Sequence, residues 1–196
     1  MKNFVYLASQ SPRRRQLLEQ IGVRYELLLP TPDEDAEALE MVLPGEAPLS
    51  YVKRVTQLKL EAAMLRLKTR NLPKGPVLCA DTTVALGREI LGKPDNAQDA
   101  LRILKKLSGN THRVLTAVAI GEGKRRVSSV SISSVTFASM TNAEMKAYVA
   151  SGEPMGKAGA YGVQGLAAAH IAVIKGSYTG IMGLPLFETA DLLKQI

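Results

Sequence analysis

The sequence predicts an α/β domain built on a mixed sheet, and three observations carry that expectation. Short apolar runs alternate with amphipathic stretches along most of the chain, the pattern of strands interleaved with helices. Two consecutive runs, residues 113–120 and 125–137, flank Gly121-Glu122-Gly123, and a hairpin there adds antiparallel pairing to a parallel sheet. No internal repeat or low-complexity stretch breaks the pattern, and 196 residues suit one domain with a substantial core.

The elements follow in order. Residues 4–8 read as a buried strand closed by Ser9-Gln10-Ser11-Pro12. Ser11 then stands as an N-cap with Pro12 at the first helical position, and the helix runs to Ile21 until Gly22 stops it. Residues 23–29 form a second strand, residues 30–48 a loop rich in proline and acid, and residues 49–67 a long amphipathic helix. Residues 77–86 form a strand interrupted by one acid, Asp81. Ala97, Ala100, Leu101, Leu104 and Leu107 make the apolar stripe of a helix. After the hairpin come a helix from Thr141 to Gly152, a strand at residues 171–174 and a helix beyond Pro185.

Composition narrows the class. With 46% hydrophobic and 22% charged residues the chain reads as a globular domain, and its longest apolar run, residues 166–174, is too short to span a membrane. No secretory signal is visible, so the cytoplasm is the expected compartment. The one cysteine, Cys79, sits in an apolar run and reads as a core residue. A net charge of +7 favours a polyanionic partner without saying which. The basic clusters are opposed by one acidic stretch, Asp33-Glu34-Asp35-Ala36-Glu37, which is either a solvated loop or part of a divalent-cation site.

Two local anomalies point to chemistry. Arg13 and Arg14 fall in the first turn of a helix, where a positive charge is unfavourable by roughly 0.3–1 kcal/mol unless an anion binds there. Backbone N–H groups, guanidinium forks and the hydroxyls of Ser9 and Ser11 could converge on a phosphate, although a solvated basic helix fits the same residues. Asp81 is the second. A carboxylate in a buried strand costs several kcal/mol unless it is paired, protonated or metal-bound, so it is a candidate base or metal ligand, or else a structural partner of a core arginine. Gly87-Arg88-Glu89-Ile90-Leu91-Gly92-Lys93-Pro94 nearly matches a P-loop and is rejected, since proline replaces the magnesium-binding hydroxyl; Lys93 can still reach a phosphate. His112 and His170 carry no metal-ligand spacing and read as structural. The glycine-dense segment around Lys157, Tyr161 and Gln164 lets backbone approach a ligand, and Gln164 could pair with a base edge.

Taken together, these segments resemble the Maf family of nucleotide pyrophosphatases, named for septum-formation inhibition. The matching pieces run in order: Leu7-Ala8-Ser9-Gln10-Ser11-Pro12-Arg13-Arg14, Ala80-Asp81-Thr82, Leu91-Gly92-Lys93-Pro94, Leu107-Ser108-Gly109, the stretch from Lys157 to Gly165, and Gly183-Leu184-Pro185. The resemblance implies a strongly twisted sheet with flanking helices in two lobes around a central cleft, all within a single domain. It implies a magnesium or manganese ion and pyrophosphate release from a nucleoside triphosphate. By position, Asp81 would be the general base, with Glu34 joining it at the metal. Ser9, Ser11, Arg13, Arg14, Lys59 and Lys93 would hold the substrate. Arg13, Thr82 and Gln164 would bear on base choice, in a form similar to the branch acting on dTTP and UTP. The expected partner is the nucleotide, with neither nucleic acid nor membrane, and the family resemblance implies a homodimer. Two rival readings stand beside it: a basic nucleic-acid-binding module, and a non-catalytic nucleotide-binding regulator of cell division.

Overall fold

The computed structural model describes residues 2–35 and 38–196; Ala36 and Glu37 of the acidic stretch lie outside the described residues. One seven-stranded mixed sheet runs through the molecule. Its first half is parallel. β1 (Phe4–Leu7) leads through α1 (Pro12–Gln20) to β2 (Arg24–Leu27), and α2 (Pro48–Thr69) returns the chain to β3 (Val77–Leu86), on the other side of β1. The second half is antiparallel: β4 (Glu89–Leu91) and β5 (Thr111–Glu122) both pair with β3, and β6 (Arg125–Phe137) and β7 (Ile171–Lys175) continue outward from β5. The remaining helices are α3 (Ala97–Leu107), α4 (Asn142–Ala150), α5 (Tyr178–Met182) and α6 (Leu186–Gln195).

Side-chain alternation along β3 and β5 explains both the layers and the division of the core into clusters. Val77, Cys79 and Ala119 face α2 and pack with Leu60 and Ala63, and further along Ala85, Leu115 and Ala117 meet Val52 and Val55. On the opposite face Leu78, Ala80, Val118 and Ile120 pack with α1 and α6, whereas Val84 and Val114 pack with α3 and α4. Polar residues divide these clusters on both faces. Thr82 and Thr116, whose hydroxyls lie 3.0 Å apart, separate the two clusters on one side. Asp81 and Thr83 sit at the same level on the other.

The ladder opens at this level too. β1 pairs with β3 as far as Leu7 with Leu78, and β4 begins only at Val84 with Leu91. Between these points β3 has no strand beside it on that edge, and Asp81 and Thr82 look into the gap. Buried Cys79, its thiol pushed up to about 12 by burial, is the core residue expected.

Several elements differ from expectation for physical reasons. β4 and α5 are too short to show a period and were not anticipated. The loop at residues 30–48 holds one 3-10 turn, Ala38–Glu40, and α2 starts one residue early, at Pro48. The hairpin turn is Gly123-Lys124 rather than Gly121-Glu122-Gly123, since Gly121 still pairs with Arg126 and Glu122 with Arg125. Gly121 serves clearance instead, because a Cβ there would lie 2.4 Å from the sulfur of Met64 on α2. The rejected P-loop match is the β3–β4 hairpin, turning at Gly87-Arg88. Among the described residues no helix is long and apolar enough to cross a membrane.

One glycine ties two loops together. Gly159 has φ +72°, and its N–H donates to the carbonyl of Gly92 at 3.0 Å, beside Lys93. A Cβ on Gly159 would come within 2.8 Å of Val84. Gly159→Ala is therefore expected to cost about 1–3 kcal/mol from strain and overpacking combined, measured as a lowered denaturant midpoint at unchanged slope. An unchanged midpoint would contradict this account.

Candidate active site

The gap beside β3 is the floor of an open cleft of about 480 Å³, a volume within the range of small-molecule sites. Ser9, Ser11, Arg13, Arg14, Lys59, Asp81, Thr82, Lys93 and Gln164 all line it, so the fold brings together every residue singled out from the sequence except Glu34.

The N-terminal wall is the β1–α1 turn. Ser11 occupies the N-cap position and Pro12 the first turn of α1, as expected, but the Ser11 side chain makes no capping bond and no acidic residue lies in that turn. The Ser11 N–H instead donates to the Ser9 hydroxyl at 3.2 Å. Arg13 Nε donates to the carbonyl of Met182 at 3.3 Å, and Arg14 Nε to that of Gly183 at 2.7 Å, while Arg14 Nη1 reaches the Ser9 hydroxyl at 3.0 Å. Burial lowers the pKa of both guanidiniums. Their acceptors are uncharged, so both arginines keep their full charge for a ligand.

Across the floor runs a chain of ion pairs. Lys59, projecting from α2, places its ammonium 2.6 Å from Asp81 Oδ1 and 2.7 Å from Glu40 Oε1. Lys93 lies 2.8 Å from the other oxygen of Glu40. Asp81 is 8% exposed, which answers how a buried strand tolerates a carboxylate: it is paired, and it faces the cleft. Burial raises the Glu40 carboxyl, but the charges and hydrogen bonds of Lys59 and Lys93 outweigh it, and its pKa lies below the ordinary value.

Glu34 corrects the expectation that it stands beside Asp81. It does not line the cleft; Arg66 grips it through two nitrogens, with Nη2 to Oε2 at 2.6 Å and Nε to Oε1 at 2.9 Å. Hydrogen bonding from Arg66 draws its pKa down to about 2. The carboxylate that does meet Lys59 is Glu40, which sequence reasoning missed. Asp33, Glu34, Asp35 and Glu40 fall in one aperiodic stretch, where spacing has no period to rank them. Arg66 was missed too, being one of many cations on α2.

The C-terminal wall holds Tyr161, Gly162, Val163 and Gln164. Behind it, His112 Nε2 lies 2.7 Å from the Tyr161 hydroxyl, and His112, Phe137 and Tyr161 pack as an aromatic cluster. Both histidines were expected to be structural; His112 is buried in this core and outside the cleft.

Fold and site together define an α/β protein whose cationic cleft is built to hold a polyanion against a buried carboxylate. Comparison with known proteins gives the group: a family profile described as Maf-like protein matches residues 4–196, and the chain belongs to the Maf family. It is 66% identical over 194 residues to a protein of Albidiferax ferrireducens named dTTP/UTP pyrophosphatase, covering 99% of this chain and 97% of that one. Proteins of the same name from a Polaromonas species and from Cupriavidus pinatubonensis are 67% identical over 192 residues and 62% identical over 195 residues. These cover 98% and 100% of this chain, and 95% and 98% of theirs.

Burial lowers the His112 pKa from 6.5 to about 4, so the unfolded chain binds a proton there before the native one does. The neutral ring's contribution is complete above pH 6.5 and is lost as pH falls toward 4, by roughly 3 kcal/mol in all. Denaturant unfolding across this window should show the loss in the wild type and a flatter profile in His112→Gln. Parallel profiles would refute the assignment.

Proposed function

We propose that this protein hydrolyses dTTP and UTP to the monophosphate and pyrophosphate, with Asp81 as the general base. The observation that carries the reading is Asp81 itself. It is a buried carboxylate held at 2.6 Å by Lys59, on the one stretch of β3 left open to a cleft whose wall carries Arg13 and Arg14. The relatives' names supply the substrate, and Thr82 and Gln164 in the same cleft bear on the choice of base.

Phosphoanhydride hydrolysis needs charge neutralisation, alignment and an activated water more than it needs a covalent nucleophile. Arg13, Arg14 and Lys93 hold the triphosphate, with the Ser9 and Ser11 hydroxyls and the open first turn of α1 adding neutral donors. Lys59 holds Asp81 in place, and Asp81 takes the proton of the attacking water. The departing pyrophosphate leaves with its charge still matched by the arginines.

The donor set fits a divalent cation of the magnesium or manganese kind. Asp81 and Glu40 both line the cleft as partners of Lys59, and two carboxylates with substrate phosphates suit magnesium better than a complete protein cage. Among the described residues no cluster of three or more histidine, cysteine or acidic side chains forms such a cage. When bound, the ion would neutralise phosphate oxygens and make water more acidic.

The test is pyrophosphate release from a panel of natural and modified triphosphates with magnesium or manganese. Turnover is expected on dTTP and UTP, and inactivity on the whole panel would sink the reading. Asp81→Asn should lower kcat by at least about a hundredfold while nucleotide binding persists. A folded Asp81→Asn enzyme with near wild-type kcat would remove Asp81 from the chemistry.

A further inference from the structure

Gln164 is the tip of a small turn, and the construction of that turn has a consequence for substrate choice. The Gly165 N–H closes it onto the carbonyl of Gly162 at 3.1 Å. Both feet rest on one pair of side chains. The Tyr148 hydroxyl donates to Glu153 Oε1 at 2.8 Å and accepts from the Gly162 N–H at 3.4 Å. Glu153 Oε2 accepts from the Leu166 N–H at 2.8 Å. The fit is close: a Cβ on Gly165 would fall 2.4 Å from both oxygens of Glu153. The turn is thus wound around the carboxylate, which occupies the space a side chain at position 165 would take.

A glutamine amide offers one donor and one acceptor, so it pairs equally well with O4 and N3–H of uracil or with O6 and N1–H of guanine. Hydrogen-bond pattern alone cannot separate these bases. They differ in how far that edge lies from the sugar, since a purine has an additional ring. Discrimination must then come from a fixed distance between the phosphate grip at Arg13 and Arg14 and the tip at Gln164.

We propose that Glu153, with Tyr148, is a specificity-positioning residue: its carboxylate holds the residue 162–167 turn at the depth that admits a pyrimidine and rejects a purine. This rests on the reading that Gln164 meets the base. Glu153 touches no substrate itself and acts through the turn.

Affinities for UTP and GTP in the absence of metal, and kcat and KM for both in its presence, test it for the wild type, Glu153→Gln, Tyr148→Phe and Gln164→Ala. Glu153→Gln should weaken UTP binding and reduce the UTP-to-GTP preference by about tenfold, a loss comparable to one or two hydrogen bonds, with kcat on UTP within about threefold of wild type. Tyr148→Phe, which keeps the buried ring, should shift the same ratio in the same direction. Combining Glu153→Gln with Gln164→Ala should reduce the ratio no further than Gln164→Ala alone, because both act on one contact. An unchanged ratio in both Glu153→Gln and Tyr148→Phe overturns the proposal, as do multiplying effects or equal affinities in the wild type. Loss of binding preference in an enzyme that turns over no nucleotide would keep this inference and remove the hydrolytic reading.

Discussion

Between Leu78 and Val84, β3 is laddered to β5 along one edge and to no strand along the other. A central strand with an open edge exposes polar backbone and side chains inside the body of the domain, where water alone would usually have to satisfy them. Here the breach is flanked on both faces by polar side chains, Asp81 and Thr83 toward α2 and Thr82 on the other. The apolar clusters on either side of the breach end at those residues. The cleft and the carboxylate at its floor are one feature of the sheet, not a pocket added to a finished core.

That arrangement sets the electrostatics. A buried aspartate needs a partner, and α2 supplies it by running along the sheet face so that Lys59 reaches Asp81 while Val52, Val55, Leu60 and Ala63 fill the core around it. Lys59 and Lys93 then share Glu40, which draws the Ala38–Glu40 turn against the cleft. The cations divide into two kinds. Arg66 is neutralised by Glu34 and braces the loop through the Leu28 carbonyl, at 2.9 Å, whereas Arg13 and Arg14 lean on neutral carbonyls and keep their charge available. An arginine paired with a carboxylate and one leaning on neutral carbonyls look alike in sequence and differ in what they bond to.

This difference explains which parts of the molecule were legible. Long periodic elements such as α2, α3 and the β5–β6 hairpin declare themselves through spacing, and Asp81 and the Arg13-Arg14 pair stood out because each breaks a local rule. Glu40 breaks no rule. Its role depends on the path of an aperiodic loop, and Glu34, six residues away, has the same chemistry and a different destination. Gly121 misled for a related reason: a glycine near a hairpin suggests the turn, and only the packing of Met64 shows that it provides room. β4, at three residues, carries too little pattern to be seen, yet it forms the far lip of the gap.

The two walls of the cleft are built by different means. The N-terminal wall belongs to a strand–helix turn of the parallel half, with Arg13 and Arg14 held by backbone carbonyls at the end of α5. The C-terminal wall belongs to an irregular segment between α4 and β7, locked by side chains: Tyr148 and Glu153 under the Gly162 turn, His112 behind Tyr161. Neither kind of anchor is indifferent to sequence: Gly183, which supplies one of the carbonyls, has φ +116°, where a side chain is strained. The second wall carries none of Asp81, Lys59, Arg13 and Arg14, which stand on β3, α2 and α1. The cleft thus joins a wall set by regular elements to one set by an aperiodic segment, and the two can vary independently.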